Sequence, residues 1–162
     1  MKPISPDIVE KTWKKMARVS SLQETQRLVN LMSKKQPIIL AYLMAIGSDI
    51  FNQDERELLF YIGMVVWQIM SQGSTPLPKI KEKTLDKTEK LNMKMIEYLK
   101  GKSDTDFANA AENLINNYPQ PEVLKYVIEA LIEETEEGCL IRDENKGLMT
   151  IYLKTVIDCL NT

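Results

Sequence analysis

Histidine is absent from this chain of 162 residues, and cysteine and glycine are scarce. Without histidine there can be no Ser-His-Asp or Cys-His catalysis, no HExxH zinc site and no Glu-x-x-His di-iron site. The two cysteines, Cys139 and Cys159, are too few for a structural zinc site or a disulfide scaffold. None of the six glycines belongs to a GxxxxGK[ST] or GxGxxG phosphate-binding loop. These absences favour a non-enzymatic protein that holds no cofactor.

Long apolar runs are also missing. The longest, residues 37–46 and 58–70, fall short of the ~20 residues that a membrane-spanning helix needs. No apolar signal-peptide core follows Met1. We therefore expect a cytoplasmic protein without a membrane partner.

What the chain does contain is typical of helices. Leu, Ile, Met, Glu and Lys are abundant, and no segment alternates apolar and polar residues as a half-buried strand does. Helix starts are indicated by Ser5-Pro6, by Ser21-x-x-Glu24 and by Asn52-x-x-Glu55. The sequence predicts a single all-α domain over residues 1–162 with about eight helices, the fifth spanning Lys79–Lys100.

The two halves of the chain resemble each other. Gln36-Pro37-x-x-Leu40-x-Tyr42 is repeated as Gln120-Pro121-x-x-Leu124-x-Tyr126. A tandem duplication of two four-helix halves, 1–75 and 79–162, would explain this match, with residues 73–78 as the linker. Chance similarity between amphipathic helices is the alternative, and the sequence leaves it open.

An apolar hairpin, residues 36–73, is predicted to form the centre of the fold. Its first helix has no polar side, and a helix that is apolar all round is buried by its neighbours. The hairpin is either covered by the other helices or exposes apolar surface to a partner. In the second case the candidate binding residues are Tyr61, Met64 and Gln68.

Acidic residues cluster at the end of the seventh predicted helix. Glu129, Glu133 and Glu136 follow a helical spacing and would share one face, which makes them candidate binding residues. Such a carboxylate face could hold Mg²⁺ in a metal-dependent hydrolase, but it is more typical of a solvated helix end. No metal ligand is assigned from the sequence.

Charge is unevenly distributed along the chain. Residues 1–35 carry eight basic and three acidic side chains, whereas residues 103–162 carry four basic and twelve acidic ones. A lysine stripe on the fifth helix could track phosphates, but interleaved acids make nucleic acid an unlikely partner. Its members are Lys79, Lys83, Lys87, Lys90 and Lys94.

Together these patterns favour a helical-repeat protein that acts by protein–protein interaction, with a protein partner or a second copy of itself as a homo-dimer. The alternatives are a metal-dependent hydrolase that uses helix carboxylates and a weak nucleic-acid binder that uses the lysine stripe.

Overall fold

The computed structural model describes residues 1–99, 102–133 and 138–161, and all regular secondary structure in these ranges is helical. This confirms the all-α prediction. Eight helices have nine or more residues, as expected, and α6 is a single four-residue turn. In chain order the helices are α1 (Pro6–Ala17), α2 (Leu22–Lys35), α3 (Pro37–Ala45), α4 (Gln53–Met70), α5 (Glu82–Met93), α6 (Ile96–Leu99), α7 (Asp104–Ile115), α8 (Pro121–Ile132) and α9 (Asp143–Leu160).

Helix α9 lies at the centre of the fold. Every residue from Asn145 to Ile157 is buried, and α9 packs against α4, α5, α6, α7 and α8. The predicted centre of the fold was the hairpin of α3 and α4. Helix α4 shares the core with α9, and α3 contributes Ile39 and Leu43 to it but leaves Met44 exposed. The polar side chains Lys154 and Thr155 of α9 are satisfied by hydrogen bonds within the protein.

The hairpin of α3 and α4 is closely packed because one residue of α4 has no side chain. A Cβ atom at Gly63 would lie 2.5 Å from a terminal carbon of Leu43 on α3. Such a distance is far inside van der Waals contact, so glycine at this position allows the two helices to approach. Leu43, Ile62 and Val66 are consequently part of the buried core.

The N-terminal ends of α4 and α9 are joined by a buried carboxylate. Glu55 is completely buried; its carboxylate accepts hydrogen bonds from the Asn52 backbone N–H at 3.0 Å and from the Arg142 Nη2 at 2.7 Å. Asn145 donates to both of its oxygens, at 3.0 and 3.1 Å. The predicted start signal Asn52-x-x-Glu55 is therefore a full capping box that also connects two helices distant in sequence.

Two glutamines connect the halves of the chain in the same way. The side chain of Gln36 donates to the Pro78 carbonyl at 2.7 Å and accepts from the Ile80 N–H at 3.1 Å. The side chain of Gln120 donates to the Lys2 carbonyl at 3.1 Å and accepts from the Ile4 N–H at 2.9 Å. Each glutamine thus holds the segment that precedes the first helix of the other half.

The first of these contacts explains why the fifth helix is shorter than predicted. The predicted first residue was Lys79. Because Gln36 binds the backbone of Pro78 and Ile80, α5 begins only at Glu82. At the other end α5 stops at Met93, and Ile96 begins the separate turn α6. Lys100, the predicted last residue, lies outside the described residues. Within the described ranges, no helix combines the length and the apolar content that crossing a bilayer requires.

Candidate binding groove

A groove runs along one face of α4 from its first turn to just beyond its end. The residues of α4 that line it recur every three or four positions, so they share one side of the helix. They are Gln53, Arg56, Glu57, Phe60, Tyr61, Met64 and Gln68, followed by Gln72 after the helix. The middle of this stripe is apolar and its ends carry amide and charged groups.

The walls of the groove come from α1, α2 and α3. The groove contains two cavities, of about 630 and 770 Å³, which share the side chains of Met16, Val19 and Leu28. The first cavity lies beside α3, where Leu43 and Met44 contribute to its lining. The second lies between α1 and α2 and extends to the end of α4.

The groove is open because α2 is packed less closely than the other long helices. Among the described helices, α2 packs extensively only against α3, which follows it directly in the chain. Met32 is its one buried residue, whereas Leu22 and Leu31 are exposed. The distance that α2 keeps from α1 and α4 leaves the space that the two cavities occupy.

Apolar side chains remain accessible to solvent at this groove. Met44 is 68% exposed and Tyr61 is 40% exposed, although both belong to the hairpin that the sequence marks as the most apolar part of the chain. The rest of the hairpin is mostly buried in the core. Partial burial raises the pKa of the Tyr61 phenol, so this side chain is neutral at physiological pH and offers a hydroxyl at the edge of an apolar surface.

The second cavity has a basic lining. The lining contains Lys11 and Lys15 on α1, Arg18 at the C-cap of α1 and Arg27 on α2, and the single acid Glu24. Within the described residues, none of these four cations lies within salt-bridge distance of a carboxylate. All four are exposed. The groove therefore combines an apolar centre with a wall of unpaired positive charge.

The candidate binding residues Tyr61, Met64 and Gln68 lie together on the α4 stripe. Tyr61 and Met64 line the first cavity, and Gln68 lines the second. Met64 is buried at the floor of the groove, whereas Tyr61 is accessible. The structure thus joins these three residues in one surface, and their role in binding stays a prediction.

The predicted acidic face is not continuous. Helix α8 ends at Ile132, and Glu133 is its C-cap with an extended ψ of 140°. Glu129 is exposed on α8 with Lys125 3.9 Å away, and Glu136 lies outside the described residues. Carboxylates at a helix C-terminus oppose the helix dipole, which gives a physical reason for the early end. Glu129 and Glu133 therefore do not continue one helical face.

The metal-binding and nucleic-acid-binding alternatives concern other surfaces of the molecule. Among the described residues, no three His, Cys, Asp or Glu side chains are grouped closely enough to hold a metal ion. The lysine stripe is solvent-exposed along its length, but Lys79 precedes α5 and Lys94 follows it, so only its middle three members lie on the helix.

Comparison with known proteins gives no relative whose binding site could be compared with this groove. No protein-family model, curated protein or solved structure matches this chain. The sequence analysis identified part of the α4 stripe but missed the lining contributed by α1, α2 and α3. Two features of the sequence indicate the charged wall. Residues 1–35 contain an excess of basic residues, and Lys11, Lys15 and Arg18 have a spacing that places them on one side of a helix.

A buried polar cluster lies between α5 and α9, in the other half of the chain. The Lys154 Nζ donates to the Asp158 Oδ2 at 2.6 Å and to the Asn92 Oδ1 at 2.8 Å. The Asn92 Nδ2 donates to the same Asp158 oxygen at 2.8 Å, and the Tyr118 hydroxyl donates to the other. Burial and the adjacent Asp158 raise the pKa of Tyr118, which keeps its donating proton. Lys154 is buried and Asp158 half-buried in this cluster, although both side chains are charged.

Proposed function

We propose that this chain is a non-enzymatic helical-repeat protein that binds a protein partner in the groove along α4. The observation that carries this proposal is the stripe from Gln53 to Gln72, whose apolar centre is left partly uncovered while the same helix is buried on its other sides. An accessible apolar surface of this kind is typical of an interaction site. Helix-in-groove binding is one of the common ways in which such a surface is used.

We further propose that the two halves arose by duplication. The reciprocal contacts of Gln36 and Gln120 support this, as do their similar backbone angles, φ −139°, ψ 61° and φ −126°, ψ 66°. Helices α4 and α9 are both eighteen residues long and pack against each other. Both glutamines precede the proline that begins the third long helix of their half. Chance similarity would not be expected to repeat a long-range hydrogen-bond pattern.

If the two halves are repeats, the groove of the first half and the polar cluster of the second half occupy corresponding positions. When the starts of α1 and α5 are aligned, Met16 corresponds to Asn92. When the starts of α4 and α9 are aligned, Met64 corresponds to Lys154 and Gln68 to Asp158. The three positions line a groove in the first half and form a closed hydrogen-bonded cluster in the second. On this interpretation only the first half keeps an open binding surface.

Site-specific photo-crosslinking tests the proposed function. A benzoylphenylalanine replaces Tyr61, which lines the groove, or Leu91, which is 57% exposed on α5 and serves as the control. After irradiation in the native cells, mass spectrometry of the adducts should identify a discrete protein attached at position 61 and not at position 91. The same adducts at both positions, or none at position 61, would contradict the proposal.

Self-association is distinguished in the same samples. Light scattering of the purified protein over a range of concentrations reports its mass in solution. If the adduct at position 61 is a second copy of the chain and the mass is that of a dimer, the groove is a homo-dimer interface. A monomeric protein with an adduct to another protein supports a separate partner.

A further inference from the structure

The groove is long enough to accommodate a helix. From Gln53 to Gln68 the lining residues of α4 extend over about 22 Å at the helical rise of 1.5 Å per residue, and Gln72 continues the stripe beyond the end of the helix. A bound helix of about 18 residues, or five turns, would cover this length and extend to Gln72. Its apolar side would contact Phe60, Tyr61 and Met64 at the centre of the stripe.

The charge of the wall defines the second property of the occupant. Lys11, Lys15, Arg18 and Arg27 line the second cavity without an ion-pair partner among the described residues, and Glu24 is the one acid in that lining; Glu57 lies in the first cavity beside Arg56. A basic occupant would be repelled by this wall, whereas carboxylates would pair with it. Electrostatic complementarity of this kind mainly sets partner choice and association rate.

We infer that the groove binds an acidic amphipathic helix of another protein, with its apolar side on α4 and its carboxylates against α1 and α2. This inference rests on the proposed function and names the partner's chemistry. A second copy of the chain is a poorer match among the described helices. Helices α7 and α8 both carry more acidic than basic residues, and both already bury their apolar sides, which include Phe107 on α7 and Val123 and Leu124 on α8.

Two synthetic peptides provide the test. Both are about 18 residues long and place leucine on one helical face; one carries glutamate at the flanking positions and the other carries lysine. Fluorescence polarisation measures the binding of each peptide to the full chain. The acidic peptide should bind, its Kd should rise with salt concentration, and the basic peptide should bind at least about tenfold more weakly.

Matched variants locate the binding site. The double variant Lys15→Glu, Arg27→Glu should weaken binding of the acidic peptide about tenfold, because two attractive contacts become repulsive. The control variant Lys83→Glu, Lys87→Glu reverses two exposed lysines on α5 and should leave the Kd unchanged. All four positions are exposed, so both variants should fold; circular dichroism checks this.

The outcomes separate this inference from the proposed function. Equal binding of both peptides, abolished by Met44→Glu, would overturn the acidic specificity and leave the groove as a protein-binding site. No binding of the acidic peptide would overturn the inference, and the crosslink at position 61 would decide the proposed function separately. Binding of anionic phosphatidylserine vesicles without peptide binding would also overturn it, in favour of a membrane surface.

Discussion

Gln36 and Gln120 make the same two hydrogen bonds, each to the backbone of the other half of the chain. In both cases the side-chain oxygen accepts from the N–H of a buried isoleucine, Ile80 or Ile4. In both cases the side-chain nitrogen donates to the carbonyl two residues earlier, that of Pro78 or Lys2. A long-range contact made twice in this way fixes where α1 and α5 begin and ties the two halves together.

Replacing either glutamine should therefore destabilise the whole protein. Gln36→Ala leaves the N–H of Ile80 without its acceptor in the interior, and a buried unsatisfied group costs about 1–3 kcal/mol. Gln120→Ala should lower the free energy of unfolding by a similar amount, because the N–H of Ile4 loses its acceptor. Urea unfolding followed by circular dichroism measures the free energy of unfolding. Gln53→Ala, at an exposed position, is the control; a Gln36→Ala protein as stable as this control would contradict the role of the contact.

The buried Glu55 should make stability depend on pH. Burial alone would raise its pKa, but hydrogen bonds from Arg142, Asn52 and Asn145 outweigh burial and lower it. Because the folded-state pKa lies below the unfolded value of about 4.3, the stabilisation is present above that pH. It is lost as the pH falls through the lowered folded-state pKa. The protein should therefore be less stable in acid than at neutral pH.

Glu55→Gln tests this dependence. The amide keeps the shape of the side chain but loses the charge that Arg142 contacts, so the variant should be about 2 kcal/mol less stable at pH 7. The difference from the wild type should shrink towards pH 3, where the native carboxylate is itself becoming protonated. Chemical unfolding at several pH values measures it. Glu57→Gln, an exposed neighbour on α4, should show no such trend, and a constant difference for Glu55→Gln would refute the assignment.

The cluster around Lys154 should respond non-additively to substitution. Lys154→Met alone leaves Asp158 and Asn92 without their shared donor, and breaking a buried pair costs about 3 kcal/mol. Adding Asp158→Gln removes the unpaired negative charge and should restore part of the lost free energy of unfolding. The two residues introduced are those found at the corresponding positions 64 and 68 of the proposed first repeat. Thermal unfolding of both single variants and of the double variant gives the coupling free energy. Additive losses would show that the two side chains act independently.

Local signals were sufficient to predict where several helices begin. The side chains of Ser5, Ser21 and Asn52 accept hydrogen bonds from the residue three positions later, as the sequence indicates. The proline at the start of α3 and of α8 is likewise read directly from the chain. These features depend on residues within one turn, which is the range that a sequence pattern reports.

Features that depend on distant residues could not be predicted. The start of α5 depends on Gln36, more than forty positions earlier in the chain. Lys154 is buried because Asn92, 62 positions away, and Asp158 complete its hydrogen bonds. The apolar stripe on α4 was visible in the sequence, but whether it is covered depends on how far α2 lies from α1 and α4. Single-sequence patterns contain no information on that separation.

The last prediction compares two neighbouring residues of α3 that differ in exposure. Leu43 is 3% exposed and packs against Gly63, whereas Met44 is 68% exposed at the groove. Leu43→Gln should cost about 3 kcal/mol or more, because it removes a core side chain and buries an amide without a partner. Met44→Gln should change the free energy of unfolding by less than about 0.5 kcal/mol, as surface substitutions usually do. Urea unfolding measures both.

The same two substitutions distinguish an effect on folding from an effect on binding. If Met44 serves the groove, Met44→Gln should weaken the crosslink from position 61 while leaving the unfolding midpoint unchanged. We therefore expect Met44→Gln to lower the crosslink yield without changing the unfolding midpoint, and Leu43→Gln to lower both. A Met44→Gln protein that is destabilised as strongly as Leu43→Gln would show that α2 closes over this side chain in solution. The groove would then be part of the core, and the surface on which the proposed function depends would not exist.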